Sequence, residues 1–227
     1  MAETRNNKGI STKSGNKPGN TAEKLPESGL EAIAAAARHA GGRKLPPVHL
    51  WNPSHCGDIG LRIARDGTWF YQNSPIGRMP LVKLFASVLR KDTDEHVLVT
   101  PVEKITVEVE DAPFLAVEMI RSDGDSGQIL SFRTNVDDWI EAGRDNEIRF
   151  EPGPSGGVKP YIRVRADLWA LVSRALFYDI VELGETRDVE GREMFGIASN
   201  GAFFIIADGN DPGEGADDGL DLDSANK

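Results

Sequence analysis

The amino-acid sequence predicts an α+β fold: two copies of a hairpin-helix-hairpin unit with mainly antiparallel sheets, packed together. The first observation is an internal match, because residues 61–92 align with residues 148–179 without a gap, at an offset of 87 positions. The offset pairs Arg78 with Arg165 and Leu81 with Leu168. The second observation is that apolar and polar residues alternate before and after a stretch in which apolar residues recur at helical spacing. This pattern is typical of strands that flank a helix.

The first unit follows an N-terminal helix. Ser28 precedes an alanine-rich stretch that Gly41-Gly42 ends, so a helix is expected over residues 28–40. Residues 59–63 and 68–72 alternate around the turn at 65–67, which predicts a hairpin. Apolar residues at helical spacing then predict an amphipathic helix over residues 81–89. Four antiparallel strands are expected after it, at 97–100, 105–109, 114–120 and 128–132.

The second unit is expected to repeat the same plan. Strands are predicted at 148–150 and 161–164, and a helix is predicted from Arg165 to about Tyr178. A Pro/Gly-rich loop at 151–157 is longer than its counterpart in the first unit. Asn200-Gly201 lies between two apolar runs, so the chain is expected to finish its folded part with a hairpin over 193–198 and 202–207.

The domain organisation follows from composition. Residues 1–27 and the acidic residues 208–227 have few apolar residues at regular spacing, and both are predicted to be disordered tails. Between them, we predict a first unit, with the N-terminal helix, over 28–145 and a second unit over 146–207. The whole chain has a formal net charge of -10, and the part between the tails carries about -6.

Composition also excludes several classes of function. An acidic body argues against nucleic-acid binding, which needs a clustered basic surface. No stretch approaches the roughly 20 apolar residues of a membrane span. The single cysteine, Cys56, cannot form an internal disulfide, so a cytoplasmic protein is expected. No motif with the spacing of a metal site, a cofactor site or a catalytic set is present, and none is predicted.

Two arginines mark the candidate binding site. The internal match places Arg78 and Arg165 at the start of each predicted helix, where the helix dipole disfavours a cation. A structural salt bridge to an acidic residue nearby in the fold is one interpretation, with four candidate partners: Glu103, Glu108, Glu110 and Asp111. The alternative is an anion pocket between the two units. Its predicted lining residues are Arg78, Arg165, Trp69, Tyr71, Glu103 and Lys104.

Several longer stretches carry a family resemblance. They include Asp66-Gly67-Thr68-Trp69-Phe70-Tyr71, Ser74-Pro75-Ile76 with Arg78, Leu98-Val99-Thr100-Pro101-Val102-Glu103-Lys104, Val109-Glu110-Asp111-Ala112-Pro113-Phe114 and Val181-Glu182-Leu183-Gly184. The chain thereby resembles a bacterial family of uncharacterised proteins, domain of unknown function 1285, over roughly residues 46–207. The resemblance implies an α+β architecture of repeated motifs and a role in signal transduction. It implies no catalytic residues.

The leading functional hypothesis is a non-enzymatic regulatory module that binds a small anionic ligand or a partner protein. Two alternatives remain open. Glu103, Glu110 and Asp111 could serve as general acid and base in a carboxylate-based enzyme acting on a small anionic substrate, if burial separated their pKa values. A protein-protein adaptor could instead dock through the alanine-rich helix at 28–40.

Overall fold

The computed structural model describes residues 27–40, 45–153 and 157–208. Strands dominate this part of the chain, and they form three sheets. Apart from Glu27 in the first helix and Asp208 in the last strand, the two tails predicted to be disordered lie outside the described residues.

The first sheet has six strands in the order β3-β2-β1-β6-β5-β4. Its strands are β1 His55–Ile63, β2 Trp69–Tyr71, β3 Ser74–Pro75, β4 Leu89–Asp92, β5 Glu95–Val99 and β6 Lys104–Val109. The second sheet has the order β10-β11-β12-β7-β8-β9. Its strands are β7 Phe114–Gly124, β8 Gly127–Thr134, β9 Trp139–Glu141, β10 Ile148–Pro152, β11 Val158–Arg165 and β12 Leu168–Val172.

The third sheet is a meander of β13 Glu185–Val189, β14 Arg192–Ser199 and β15 Ala202–Asp208. Three α-helices complete the described part: α1 Glu27–Ala40, α2 Met79–Ser87 and α3 Arg174–Glu182. A single turn of 3-10 helix spans Val48–Leu50.

Most strand pairs are antiparallel, as predicted. The exceptions among the described strands are β1 with β6 and β7 with β12, which are parallel. Each parallel pair lies in the middle of a six-stranded sheet and joins strands that are distant in sequence. The sequence-based prediction did not include these two pairs.

Both predicted hairpins are confirmed. In the β1–β2 turn, the Asp66 carboxylate accepts a hydrogen bond from the Thr68 amide at 2.9 Å. In the β14–β15 turn, Asn200 and Gly201 both have positive φ, 47° and 71°. This is the backbone that a two-residue hairpin turn requires, and it explains why Asn-Gly predicts such a turn well.

The first predicted amphipathic helix is confirmed as α2, which buries Leu81, Val82, Phe85 and Ala86. Its predicted end at residue 89 is wrong, because α2 ends at Ser87 and Leu89 begins strand β4. The second, predicted from Arg165 to Tyr178, is wrong in its first half. Strand β12 occupies Leu168–Val172, and α3 begins only at Arg174. Because β12 is hydrogen-bonded on both sides and four of its five residues are buried, its continuous apolar run is that of a central strand.

The internal match at an offset of 87 therefore pairs a residue of helix α2, Leu81, with a residue of strand β12, Leu168. The two helices themselves begin 95 positions apart, at Met79 and Arg174. The order of three strands, one helix and three strands does occur twice along the chain. In the first case both strand triplets join one sheet, whereas in the second they belong to different sheets.

The sheets also group residues 114–141 with residues 148–172, because β7, β8 and β9 pair in the same sheet as β10, β11 and β12. The sequence-based division had separated these strands between residues 145 and 146. The first sheet ends with β6 at Val109, so the segment 110–113 connects the two large sheets.

One hydrophobic core runs through both halves of the fold. It includes Phe85 and Leu89 from the first half and Phe114, Phe132 and Ile162 from the second, all fully buried. Helix α1 contributes Ala34 and Ala37, which are buried in the same cluster, and α1 packs against α2. The predicted helix at 28–40 is confirmed, and these two alanines are covered by the chain's own core.

The buried hydroxyl of Ser199 connects the third sheet to the second through two hydrogen bonds. Ser199 Oγ accepts a hydrogen bond from the Leu130 amide at 2.9 Å and donates one to the Ala142 carbonyl at 2.8 Å. Ser199 has no exposed surface, so both backbone groups depend on this side chain for a partner.

Candidate functional site

The two aromatic residues predicted to wall a pocket lie in the core. Trp69 is 1% exposed and packs beside Phe85 with 6.1 Å between ring centroids. Tyr71 is 4% exposed, and its hydroxyl accepts a hydrogen bond from Gln72 Nε2 at 3.3 Å. Side chains this deeply buried serve packing and offer no surface to a ligand.

Arg165 lies at the end of β11 rather than at the start of a helix. Its guanidinium donates to the Ala86 carbonyl in the last turn of α2 at 2.5 Å and to Asp138 Oδ2 at 3.1 Å. It also lies over the Phe114 ring at 5.2 Å. Burial lowers the pKa of Arg165, and the ion pair with Asp138 opposes that shift. The residue thus connects the second sheet to the negative end of the α2 dipole, where a cation is stabilising.

Arg78 is exposed at the N-cap of α2, as its predicted position at a helix start requires. It has no ion-pair partner within the described part of the chain. Because Arg165 contacts the last turn of α2, the two arginines lie at opposite ends of that helix. Neither arginine lines any of the four cavities described below.

The remaining two predicted lining residues lie where β6 begins. The Glu103 carbonyl accepts a hydrogen bond from the Thr100 amide at 2.8 Å, and Lys104 Nζ lies 3.3 Å from Asp92. None of the four acidic residues proposed as partners pairs with Arg78 or Arg165 among the described contacts. Glu110 pairs with Arg62 instead, and Asp111 pairs with Lys159.

A different set of residues lines a cleft of about 820 Å³, which we call the linker cleft. It is bounded by Arg65 in the β1–β2 turn, by Asp111 in the segment that connects the two large sheets, and by Arg174 at the start of α3. The beginning of β11 and the end of β12 form its apolar side, together with two aromatic residues of α3. The lining residues on that side are Val158, Pro160, Leu171, Val172, Phe177 and Tyr178.

Asp111 is the central acid of the linker cleft. Its side chain is only 7% exposed, and it accepts hydrogen bonds from Lys159 Nζ and from the Tyr161 hydroxyl, the latter at 2.6 Å. Arg65 Nε lies 3.6 Å away. Burial is the largest single influence and opposes ionisation, but the hydrogen bonds from Lys159 and Tyr161 outweigh it and hold the pKa of Asp111 below its ordinary value. Asp111 is therefore ionised at neutral pH and cannot act as a general acid.

The same hydrogen bond acts on the tyrosine. Burial first, and then the neighbouring Asp111 carboxylate, raise the pKa of the Tyr161 hydroxyl. Tyr161 therefore stays protonated and acts as a fixed donor to Asp111. Neither Asp111 nor Tyr161 is poised to exchange a proton near neutral pH.

Arg174 is the cation of the cleft that has no acidic partner among the described residues. Its Nε donates to the Tyr178 hydroxyl at 3.0 Å, one turn further along α3, and its guanidinium lies 5.7 Å from the centre of that ring. Arg174 is exposed and occupies the first position of α3. A cation at a helix N-terminus is disfavoured by the dipole, so an anion bound beside it would be doubly favourable.

The charges of the linker cleft do not cancel. Arg65, Lys159 and Arg174 line it together with a single carboxylate, that of Asp111. Three cations and one carboxylate leave an excess of two positive charges in the described lining, and Arg174 is the cation that does not contact Asp111. The cleft can hold an anion without any further change of charge on the protein.

Asp111 also lines a smaller cavity of about 150 Å³ on its other side. There Lys91 pairs with Asp167 at 3.1 Å, and Arg149 pairs with Glu151 at 3.0 Å. Its charged groups are largely matched, and its volume is below the usual 300–1,000 Å³ or so of ligand sites.

A third cavity, of about 490 Å³, lies between the β7–β8 hairpin and the third sheet. Two arginines and three acidic residues line it: Arg121, Arg187, Asp123, Glu182 and Glu185. Arg187 already pairs with Glu185 at 2.5 Å. Because this cavity has no excess of positive charge, the linker cleft is the stronger candidate for an anion.

Sequence reasoning missed the linker cleft, although it noted two of its borders. The long Pro/Gly loop of the second unit flanks the cleft at Gly153 and Gly157, and Asp111 is one of the four acidic residues predicted as partners of the two arginines. What hid the site was the wrong helix, because Arg174 at the true start of α3 had been assigned to the middle of a longer helix.

Comparison with known proteins identifies the family of this mostly-β, two-part fold. A family model described as "Domain of unknown function (DUF1285), N-terminal domain" matches residues 46–112, and one described as "Protein of unknown function (DUF1285), C-terminal domain" matches residues 113–206. The chain belongs to the DUF1285 family, which confirms the resemblance found in the sequence. The junction between the two models falls beside Asp111, in the segment that connects the two large sheets.

Two solved structures are similar to the chain. A DUF1285 family protein from Silicibacter pomeroyi DSS-3 is 46% identical, with a TM-score of 0.70 over 78% of this chain and 94% of that one. A DUF1285 family protein from Shewanella baltica OS155 is 28% identical, with a TM-score of 0.44 over 55% of this chain and 91% of that one. A search of curated proteins found no match.

Two further classes of site were sought in the described residues. No group of three or more His, Cys, Asp or Glu side chains there is arranged to hold a metal ion. None of the described helices has the length and apolar composition needed to cross a membrane.

Proposed function

We propose that this protein is a non-enzymatic regulatory module that binds a small anionic ligand in the linker cleft. The observation that carries the proposal is the excess of positive charge in a cleft of about 820 Å³, with Arg174 free of any acidic partner among the described residues. The volume lies within the usual range for ligand sites, and the mixture of apolar walls with a few charged groups is typical of them. The single cysteine favours a reducing compartment, and we place the module in the cytoplasm.

The position of the cleft supports a regulatory role. Arg65 lies in the β1–β2 turn of the first sheet, and Arg174 follows strand β12 of the second sheet. Asp111 lies in the segment that connects those sheets. An anion that attracts Arg65 or Lys159 competes with Asp111 for the same cations. Ligand binding would then change the contacts at the connection between the two family domains, which is how we expect a signal to leave the site.

A screen by thermal shift tests this proposal. The full chain is heated with nucleotides, inorganic phosphate, phosphate esters and organic acids. A ligand present at about 100 times its dissociation constant stabilises the protein by about 2.7 kcal/mol. For a folded part of this size that raises Tm by about 5–10 °C.

The matched pair of variants is Arg174→Gln and Arg78→Gln. Each removes one exposed arginine from the start of a nine-residue helix, but only Arg174 lines the cleft. We expect Arg174→Gln to weaken binding at least tenfold, since a hydrogen bond to a charged group contributes about 1.5–3 kcal/mol. Arg78→Gln should bind as the unmodified protein does. Equal loss in both variants, or no response to any anion, would contradict the proposal.

A second candidate function, the protein-protein adaptor, is favoured by one exposed surface. Trp139 on the edge strand β9 is 49% exposed and Ile120 on β7 is 48% exposed, and both line a shallow cavity of about 570 Å³. Exposed tryptophan beside an open sheet edge is typical of binding surfaces. An adaptor of this kind would lose its partner in a pull-down with Trp139→Ala and keep it with Arg174→Gln.

A further inference from the structure

We infer that the anion accepted by the linker cleft is a monocarboxylic acid with an apolar body, rather than a phosphate ester or a nucleotide. This inference rests on the proposed function, since it names the chemical class of the ligand for the same site. Three features of the described lining support it. They are a single cation that does not contact Asp111, the scarcity of neutral polar side chains, and the arrangement of Arg174 beside Tyr178.

One cation of the described lining, Arg174, makes no contact with Asp111. Lys159 is hydrogen-bonded to Asp111, and Arg65 lies 3.6 Å from the same carboxylate with its own side chain 68% exposed. Arg174 is the remaining cation of the described lining. A phosphate ester carries about two charges at neutral pH and a nucleotide carries more, so their further charges would have to draw Arg65 or Lys159 away from Asp111.

The described lining is also poor in neutral polar side chains. It contains no Ser, Thr, Asn or Gln side chain. The hydroxyls of a ribose would lose their hydrogen bonds to water without gaining a Ser, Thr, Asn or Gln partner in the described lining. A ligand whose polar atoms all lie at one end avoids this cost.

Arg174 and Tyr178 together fit that one polar end. Because Arg174 Nε is used by the Tyr178 hydroxyl oxygen, the two terminal nitrogens of the guanidinium are left to face a ligand. Two parallel N–H donors are the geometry that matches the two oxygens of a carboxylate. The Tyr178 hydroxyl accepts from Arg174, so its own proton is available to donate to the ligand.

The apolar side of the cleft fits the rest of such a ligand. Val158 is 38% exposed and Tyr178 is 58% exposed, and Phe177 packs against Phe150 with 6.3 Å between ring centroids. Leu171 is partly buried and lies beside them in the lining. An acyl chain or a ring laid against these residues removes apolar surface from water on both partners.

Titration calorimetry on the full chain tests the class with four probes. Octanoate carries both the carboxylate and the apolar body, acetate carries the carboxylate alone, octanol carries the body alone, and octyl phosphate exchanges the polar group. We expect octanoate to bind at least tenfold more tightly than each of the other three. Arg174→Gln should weaken octanoate binding at least tenfold, and Tyr178→Phe should weaken it several-fold, whereas Arg78→Gln should leave it unchanged.

The outcomes separate this inference from the proposed function. If octyl phosphate binds more tightly than octanoate, and Arg174→Gln weakens that binding, the carboxylate class is wrong and the anion site stands. If octanol binds as tightly as octanoate, the cleft recognises only the apolar body of the ligand, and the carboxylate class is also wrong. If no anion binds in a way that depends on Arg174, both the class and the proposed function are wrong.

Discussion

Replacement of Arg165 by methionine tests the contact between the second sheet and helix α2 most sharply. Methionine keeps much of the aliphatic volume and removes the guanidinium, which donates to the Ala86 carbonyl at 2.5 Å and to Asp138 at 3.1 Å. A hydrogen bond to a charged group contributes about 1.5–3 kcal/mol. A cation at a helix C-terminus adds about 0.3–1 kcal/mol.

The Arg165 side chain keeps 21% of its surface exposed, so the lower end of these ranges applies. We expect Arg165→Met to lower the free energy of unfolding by about 3 kcal/mol, and Tm by about 6–12 °C. Urea denaturation followed by tryptophan fluorescence measures the first quantity, and an unchanged m-value shows that the two states are still comparable.

Arg78→Met is the matched control, because the sequence had given the two arginines the same position. Arg78 is exposed and has no ion-pair partner in the described part of the chain, so its loss should change stability by no more than about 0.5 kcal/mol. The double variant Arg165→Met with Asp138→Asn should lose less than the sum of the single losses, by about 1 kcal/mol. Equal losses for Arg165→Met and Arg78→Met would refute the structural role of Arg165.

Three further predictions concern stability. Asp111→Asn should cost about 1–3 kcal/mol at pH 7. Folding lowers the pKa of Asp111, so the difference in the free energy of unfolding between the variant and the unmodified protein is full above the unfolded pKa of about 3.9. The difference disappears as the pH falls through the lower pKa of the folded protein. Denaturation at a series of pH values from 7 to 3 measures it. Ser199→Ala should lower the free energy of unfolding by about 1–3 kcal/mol in urea denaturation, since two buried backbone groups lose their partner. A loss below about 0.5 kcal/mol would mean that water replaces the hydroxyl. Gly196→Ala should lower the free energy of unfolding by about 2–3 kcal/mol and lower Tm, because the added Cβ would clash with the Phe204 carbonyl oxygen. The control is Gly77→Ala, whose added Cβ meets no atom within 4 Å and should change Tm little.

The parts of the fold that could be predicted were those with local causes. Asn200-Gly201 adopts the positive φ values that define its turn, so the last hairpin needed no information from the rest of the chain. Helix α2 could be predicted because its buried residues recur at helical spacing within nine residues. Each of these signals is contained in a short stretch of sequence.

The parts that could not be predicted depend on contacts between distant segments. Strand β12 is a run of five apolar residues, which fits a strand or a helix equally well until β7 and β11 pair on either side of it. Both parallel pairs join strands separated by long stretches of chain, and no local pattern marks them. The internal match at an offset of 87 aligns strand β1 with strand β10, but further along it places helix α2 against strand β12.

The candidate site was missed for the same reason. Arg65, Asp111 and Arg174 are brought together by the turn of one sheet, the connecting segment and the first residue of α3. Arg165 seemed equivalent to Arg78 in sequence, but its partner is the carbonyl of Ala86, a backbone group that no residue pattern reveals. A charge excess in a cleft becomes visible only after the ion pairs of the folded protein are known.

The most direct test of the central claim is a crystal structure of the full chain with the anion that stabilises it most in the thermal-shift screen. The account predicts that the ligand occupies the linker cleft, with its anionic group within hydrogen-bond distance of the Arg174 guanidinium and its apolar part against Val158 and Phe177. A ligand bound elsewhere, with Arg174 still facing solvent, would contradict it.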